Sequence, residues 1–123
     1  MGNPARCFRD MRVWQSAEEV CVLVYQITVT FPRSEQFGLS SQIRRAAVSI
    51  PSNIAEGFGR RSRKEKEQFY HHSLGSLFEV EAQLSIAMRL RYVSANDMER
   101  AHRYYQPQVP RRYCHSIVLQ AKK

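Results

Sequence analysis

Ser62 to Arg91, SRKEKEQFYHHSLGSLFEVEAQLSIAMRLR, decides the fold. Ser62 and Glu65 stand at capping-box spacing, where the hydroxyl takes the backbone donor of the glutamate and the carboxylate reaches back. Beyond them Phe69, Ser73, Leu77, Val80, Leu84 and Ala87 recur at steps of three and four, with Leu74 and Met88 beside them. That pattern is one stripe of an amphipathic helix. No proline interrupts it, and a helix over the whole stretch is ~45 Å long, which suits a bundle better than a globin-like packing. Gly75 lies in its middle, where glycine costs up to about 1 kcal/mol against alanine. Ser73, Gly75 and Ser76 form a small-residue patch. Ala46, Ala47 and Ser49 form another. Together they predict a close approach of two helices, with Gly75 at the contact.

The segment before it carries a second stripe, Ile43, Ala46, Ala47, Ile50, Ile54, Ala55 and Phe58, with Ser40 or Ser41 as its cap and Gly57 and Gly59 closing it. Pro51 sits inside. It removes one backbone donor and clashes one turn back, at about 3 kcal/mol in a regular helix. A kink near Ala47 is expected, or two short helices meeting there. Further upstream, Val13, Trp14, Ala17, Val20, Cys21, Val24, Tyr25, Thr28 and Phe31 mark a first helix, capped by Asp10 and stopped by Pro32. Leu23 and Ile27 lie off that stripe and widen it, as ordinary surface residues or as a face for a second subunit. A fourth helix opens at Ser94 and Asp97 and carries Met98, Ala101 and Tyr105, until Pro107 and Pro110 interrupt it. The tail, with Ile117, Val118 and Leu119 in a row, shows no helical period. The expectation is an all-α chain: one domain over residues 1–123, an antiparallel up-down four-helix bundle with long helices and a kinked second helix.

Bulk properties narrow the function. A chain of 123 residues suits one core without staples. No apolar run approaches the about 18 residues of a membrane span. The polar start, with Arg6 and Arg9, does not read as a secretory signal. Cys7, Cys21 and Cys114 are odd in number and widely spaced, which fits a reducing cytoplasm better than a disulfide framework. Nineteen Lys and Arg against eleven Asp and Glu leave a net charge of +8, an excess that favours polyanions: nucleic acid, an anionic membrane surface or an acidic protein.

The charge is densest at Arg60-Arg61-Ser62-Arg63-Lys64-Glu65-Lys66, at the start of the third helix. Cations there oppose the helix dipole, while the free backbone donors at that end suit phosphate. The combination points to an anion, and the plain alternative is a solvated basic turn. Arg44 and Arg45 add charge from the second helix. Tyr70, His71 and His72 lie one to two turns along the third, where they can stack on bases or touch phosphates, or stand as ordinary surface and boundary residues. Nothing in this set is shaped to read base edges, so single-stranded RNA or another nucleic acid is expected to bind through its backbone.

A polar stripe runs along the second helix: Arg45, Ser49, Ser52 or Asn53, and Glu56. Arg45 and Glu56 are three turns apart and do not pair on one helix. A network between helices or subunits is the preferred reading. No nucleophile stands beside a base, so no enzyme activity is expected. Metal is not favoured: a di-iron bundle needs two Glu-x-x-His pairs, and Glu99 to His102 is a single one. Glu67 and His71 have the wrong step, and Cys114-His115 has no companions at zinc spacing. No Walker loop, G-x-G-x-x-G or H-E-x-x-H occurs, and no cofactor is expected.

Several segments together resemble the four-helix-bundle proteins named for intervening sequences in bacterial 23S ribosomal RNA genes. They are Val13-Trp14-Gln15 with Ala17, then Tyr25, Thr28, Phe31-Pro32 and Phe37-Gly38-Leu39. Next comes QIRRAAVSIPSNIAEG from Gln42 to Gly57, the longest and most specific, followed by Gly75-Ser76-Leu77, Glu79 and Gln83-Leu84. The likeness runs from Phe8 to Tyr92. It implies an up-down bundle of long helices, with no known enzyme activity and no cofactor. It also looks like a relationship to the accessory proteins of diversity-generating retroelements, five-membered rings that bind nucleic acid and a reverse transcriptase. A homo-oligomeric ring of five is the resulting expectation, with Leu23, Ile27, Ser49, Pro51, Asn53, Glu56 and Gly75 as structural or subunit-contact candidates. Pro107 and Pro110 depart from the family's continuous fourth helix.

Overall fold

The computed structural model describes residues 6–103. Four helices follow one another: α1 (Arg12–Thr28), α2 (Leu39–Phe58), α3 (Arg63–Arg89) and α4 (Ala95–His102). Short 3-10 turns at Phe8–Asp10 and Arg33–Glu35 precede α1 and α2, and no strand occurs among the described residues. The expected interruption at Pro107 and Pro110, Tyr105, and the tail lie outside the described residues.

The periodic stripes meet in one core. Val13, Ala17, Val20 and Val24 of α1 join Ile43, Ala46, Ala47, Ile50 and Ile54 of α2. Leu77, Val80, Leu84 and Ala87 of α3 complete it, and Met98 and Ala101 of α4 close one side. The α2–α3 contact is the most extensive, followed by α1–α2, while the short α4 touches both α1 and α3. Leu23 and Ile27 are buried in this core, so they are not the spare face expected of them. α1 packs against both α2 and α4, and a helix with two neighbours needs a wider apolar arc. Tyr25, placed on the stripe, is instead 41% exposed.

The α2–α3 seam is stitched by polar groups as well as packing. Lys66 bonds carbonyls at Gly57 and Phe58, Ser73 Oγ donates to the Ile50 carbonyl at 2.8 Å, and Ser76 Oγ donates to Ser49 Oγ at 2.9 Å. Close approach is thus real, but its glycine is Gly57. A Cβ there would lie 2.6 Å from Tyr70 Cε1 and 3.1 Å from Phe69 Cβ. Gly75 is exposed, with nothing within 4 Å of a Cβ. It follows Ser73 by two residues, about 200° around the helix from the seam. α2 runs through Pro51 as one helix, which excludes two separate short helices.

Helix ends follow local chemistry. Ser62 Oγ accepts from Glu65 N–H and Ser94 Oγ from Asp97 N–H, each at 3.1 Å. α1 starts after Met11, and the Asp10 carboxylate instead takes the N–H groups of Arg6 and Cys7. At α2 neither serine caps: Glu35 Oε1 takes the Leu39 N–H at 3.1 Å, and Glu35 Oε2 accepts from the Tyr92 hydroxyl at 3.1 Å. α3 ends in a Schellman arrangement, Arg91 N–H to the Met88 carbonyl and Tyr92 N–H to that of Ala87. Arg91 takes φ 63° there.

Candidate nucleic-acid interface

Residues 59–62 separate α2 from α3. Gly59 N–H closes α2 on the carbonyls of Ala55 and Glu56, and Ser62 opens α3. The run from Arg60 to Lys66 is therefore confined to one tight turn and the first helical turn after it. Its cations do different things.

Lys66 points inward. Its Nζ donates to the carbonyls of Gly57 (3.2 Å) and Phe58 (2.8 Å) and lies 5.7 Å from the Phe58 ring centroid. It adds a positive charge to the carbonyls at the negative end of α2, that of Gly57 also accepting the Arg60 N–H. Lys66 is thus a cap within the fold and leaves the expected polyanion surface. Arg60 lies over the Phe69 ring, 4.7 Å from its centroid, and 4.0 Å from Glu56. Arg63 Nε donates to Glu67 at 3.1 Å. Such exposed pairs contribute little, so both arginines can exchange them for a phosphate. The side chains of Arg61 and Lys64 are exposed and have no hydrogen bond or ion pair among the described residues. Beside them the first N–H groups of α3, those of Arg63 and Lys64, have no intrahelical acceptor.

Arg44 and Arg45 are not brought to this turn. They stand near the other end of α2, about 20 Å along its axis. Arg44 Nε donates to Thr28 Oγ1 at 2.7 Å and its guanidinium lies 4.8 Å from the Tyr25 ring centroid, while Arg45 is exposed. With Arg33, Tyr25, Val29 and Phe37 they line an open cleft between the end of α1 and the start of α2. Sequence reasoning missed it because its walls come from three segments. The available signal was Phe37, a large aromatic in a turn.

Tyr70 offers no face to a base. It is buried against Gly57, and burial pushes its phenol above the ordinary range. His71 and His72 are exposed, and His72 meets the Phe69 ring edge-on at 6.4 Å. The polar stripe of α2 divides. Asn53 Nδ2 donates to the carbonyl and the hydroxyl of Ser49, and Ser76 of α3 joins that hydroxyl, a compact network between two helices of one chain. Arg45 and Glu56 stay outside it, exposed.

Among the described residues no three His, Cys, Asp or Glu side chains gather in a way that could hold a metal ion. Cys114 and His115 lie outside them. Cys21 is held as a thiol, first by burial and then by the charge of Glu18. No helix among the described residues is long and apolar enough to cross a membrane. The family model described as 23S rRNA-intervening sequence protein matches residues 9–107. None of the curated proteins matches the chain.

Proposed function

The chain belongs to the 23S rRNA-intervening sequence protein family, and from that membership we propose that it is a non-enzymatic, cytoplasmic, oligomeric bundle protein that binds single-stranded RNA through its basic turn. One observation carries the binding: Arg61 and Lys64 stand exposed, with no protein partner among the described residues, beside the free donors that open α3. Arg60 and Arg63 flank them in contacts weak enough to be traded. Anionic phosphate complements both the side chains and the helix end. Contacts of this kind position a backbone and carry no sequence information, so binding is independent of sequence.

Within a subunit the helices run up and down in antiparallel order. In support, seam partners fall from Phe58 to Ser49 on α2 as they rise from Lys66 to Ser76 on α3. Pro51 bends α2 near Ala47, whose carbonyl it deprives of a donor. Subunits meet through the outer face of α3, where Phe78 and Ile86 are 47% and 53% exposed, with Ala82 between them and Gly75 one turn before. A ring of five is the arrangement the retroelement likeness suggests. It would repeat the basic turn around one rim and turn weak contacts into avidity.

Two measurements test this. Light scattering at micromolar concentration is expected to return a mass of several subunits, and a clean monomer removes the ring. Protein purified without nuclease is expected to carry ultraviolet absorbance of nucleic acid that RNase removes. Absorbance that RNase leaves unchanged counts against RNA.

A further inference from the structure

The cleft at the far end of α2 has a composition of its own. Phe37 is 91% exposed and Val29 73% exposed, the two most exposed large apolar side chains among the described residues. Around them stand Arg33, Arg44 and Arg45, and no carboxylate is among the lining residues. The nearest acid in sequence, Glu35, is engaged with both oxygens, on the Leu39 N–H and the Tyr92 hydroxyl. Arg44 is fixed by Thr28 and covers the Tyr25 ring. That leaves one free aromatic face, on Phe37, and two guanidinium groups without partners among the described residues, on Arg33 and Arg45.

We propose that this cleft seats one nucleotide of a single RNA strand, its base stacked on Phe37 and its phosphate held by Arg45 and Arg33. Every base has a π-face, so an aromatic side chain accepts any of them, and flanking cations track the backbone. The charge argues for this occupant. A second copy of a chain carrying +8 would cover these arginines with its own excess of cations, and burying unpaired charge is costly. The proposal rests on the reading of the chain as an RNA binder and adds a second, base-dependent contact remote from the basic turn.

Fluorescence anisotropy separates the two contacts. A labelled oligouridylate is compared with an abasic ribose–phosphate strand of equal length and charge, at fixed salt and across a salt series. The wild-type protein is expected to prefer the base-bearing strand by roughly 5- to 150-fold. Phe37→Ala should bring that ratio close to unity and leave the salt slope unchanged. Arg45→Ala should weaken both strands and flatten the slope by about 0.7. The triple variant Arg61→Ala, Arg63→Ala, Lys64→Ala should flatten the slope and keep the ratio. Phe37 is nearly fully exposed, so its loss is not a folding defect, and circular dichroism checks this. Equal affinity of the wild type for both strands overturns the cleft and leaves the basic turn standing. So does a Phe37→Ala variant that keeps the ratio, or one whose mass in light scattering falls to the monomer, which would make the cleft a subunit contact. A wild type that binds neither strand sinks both.

Discussion

The two ends of α2 carry similar side chains to different effect. At the C-terminal end, Arg60, Arg63 and Lys66 meet Phe69, Glu67 and two helix carbonyls. Only Arg61 and Lys64 of that run are left without partners among the described residues. At the N-terminal end there are fewer cations, but no acid lines the cleft and Phe37 stands in solvent. Charge density in a sequence is therefore a poor measure of charge available to a ligand. The first end is built mainly to hold two helices together, and the second leaves an open surface.

The C-terminal end is accordingly where substitutions hurt the fold. Gly57→Ala forces a methyl against Tyr70 and Phe69, and is expected to destabilise by about 1–3 kcal/mol, read as a lower midpoint in urea unfolding. Gly75→Ala, in open space on the same pair of helices, should instead gain up to about 1 kcal/mol. The reverse order of the two variants would break the assignment of the seam. Lys66→Met keeps the stem over Phe58 and removes two hydrogen bonds, an expected loss of about 1 kcal/mol. A thermal midpoint equal to wild type would return Lys66 to the free cations.

At the N-terminal end the smallest effect is a pH dependence. The Tyr92 phenol is held above its ordinary value, first by its hydrogen bond to Glu35, then by burial and the Glu35 charge. A raised value means stability that is fully present below the unfolded tyrosine range, about pH 10, and lost as pH rises through the folded value. The stability difference between wild type and Tyr92→Phe should accordingly shrink above about pH 10. Tyr70, raised by burial, remains in both proteins and cancels. A difference constant into the alkaline range would show that the Tyr92–Glu35 bond does not tie the end of α3 to the turn before α2.

Periodicity carried most of the fold. The buried residues of α2 and α3 are nearly those their stripes name, because a repeat of three and four has one geometric meaning. What a single stripe does not reveal is how many neighbours a helix has, and Leu23 and Ile27 went to the wrong side for that reason. Small residues misled similarly. Gly75 and Gly57 are alike in sequence, and only the angle around the helix separates an open position from a crowded one. The candidate site was legible in part. The run from Arg60 to Lys66 announces itself, but whether each cation faces solvent or a helix end depends on the turn's path. The cleft joins residues from α1, a turn and α2, and no local pattern links them.

The most direct measurement is the salt dependence of RNA affinity for the wild type and for Arg61→Ala/Arg63→Ala/Lys64→Ala. Binding of single-stranded RNA should weaken steeply with salt, with a slope near −0.7 for each phosphate neutralised. The triple variant should flatten that slope by roughly two to three contacts' worth. Its stability should stay within about 0.5 kcal/mol of wild type, since exposed side chains are changed. Unchanged affinity and slope in the variant would contradict the proposal: the turn would then be solvated surface, and the net charge would point to an acidic protein as partner.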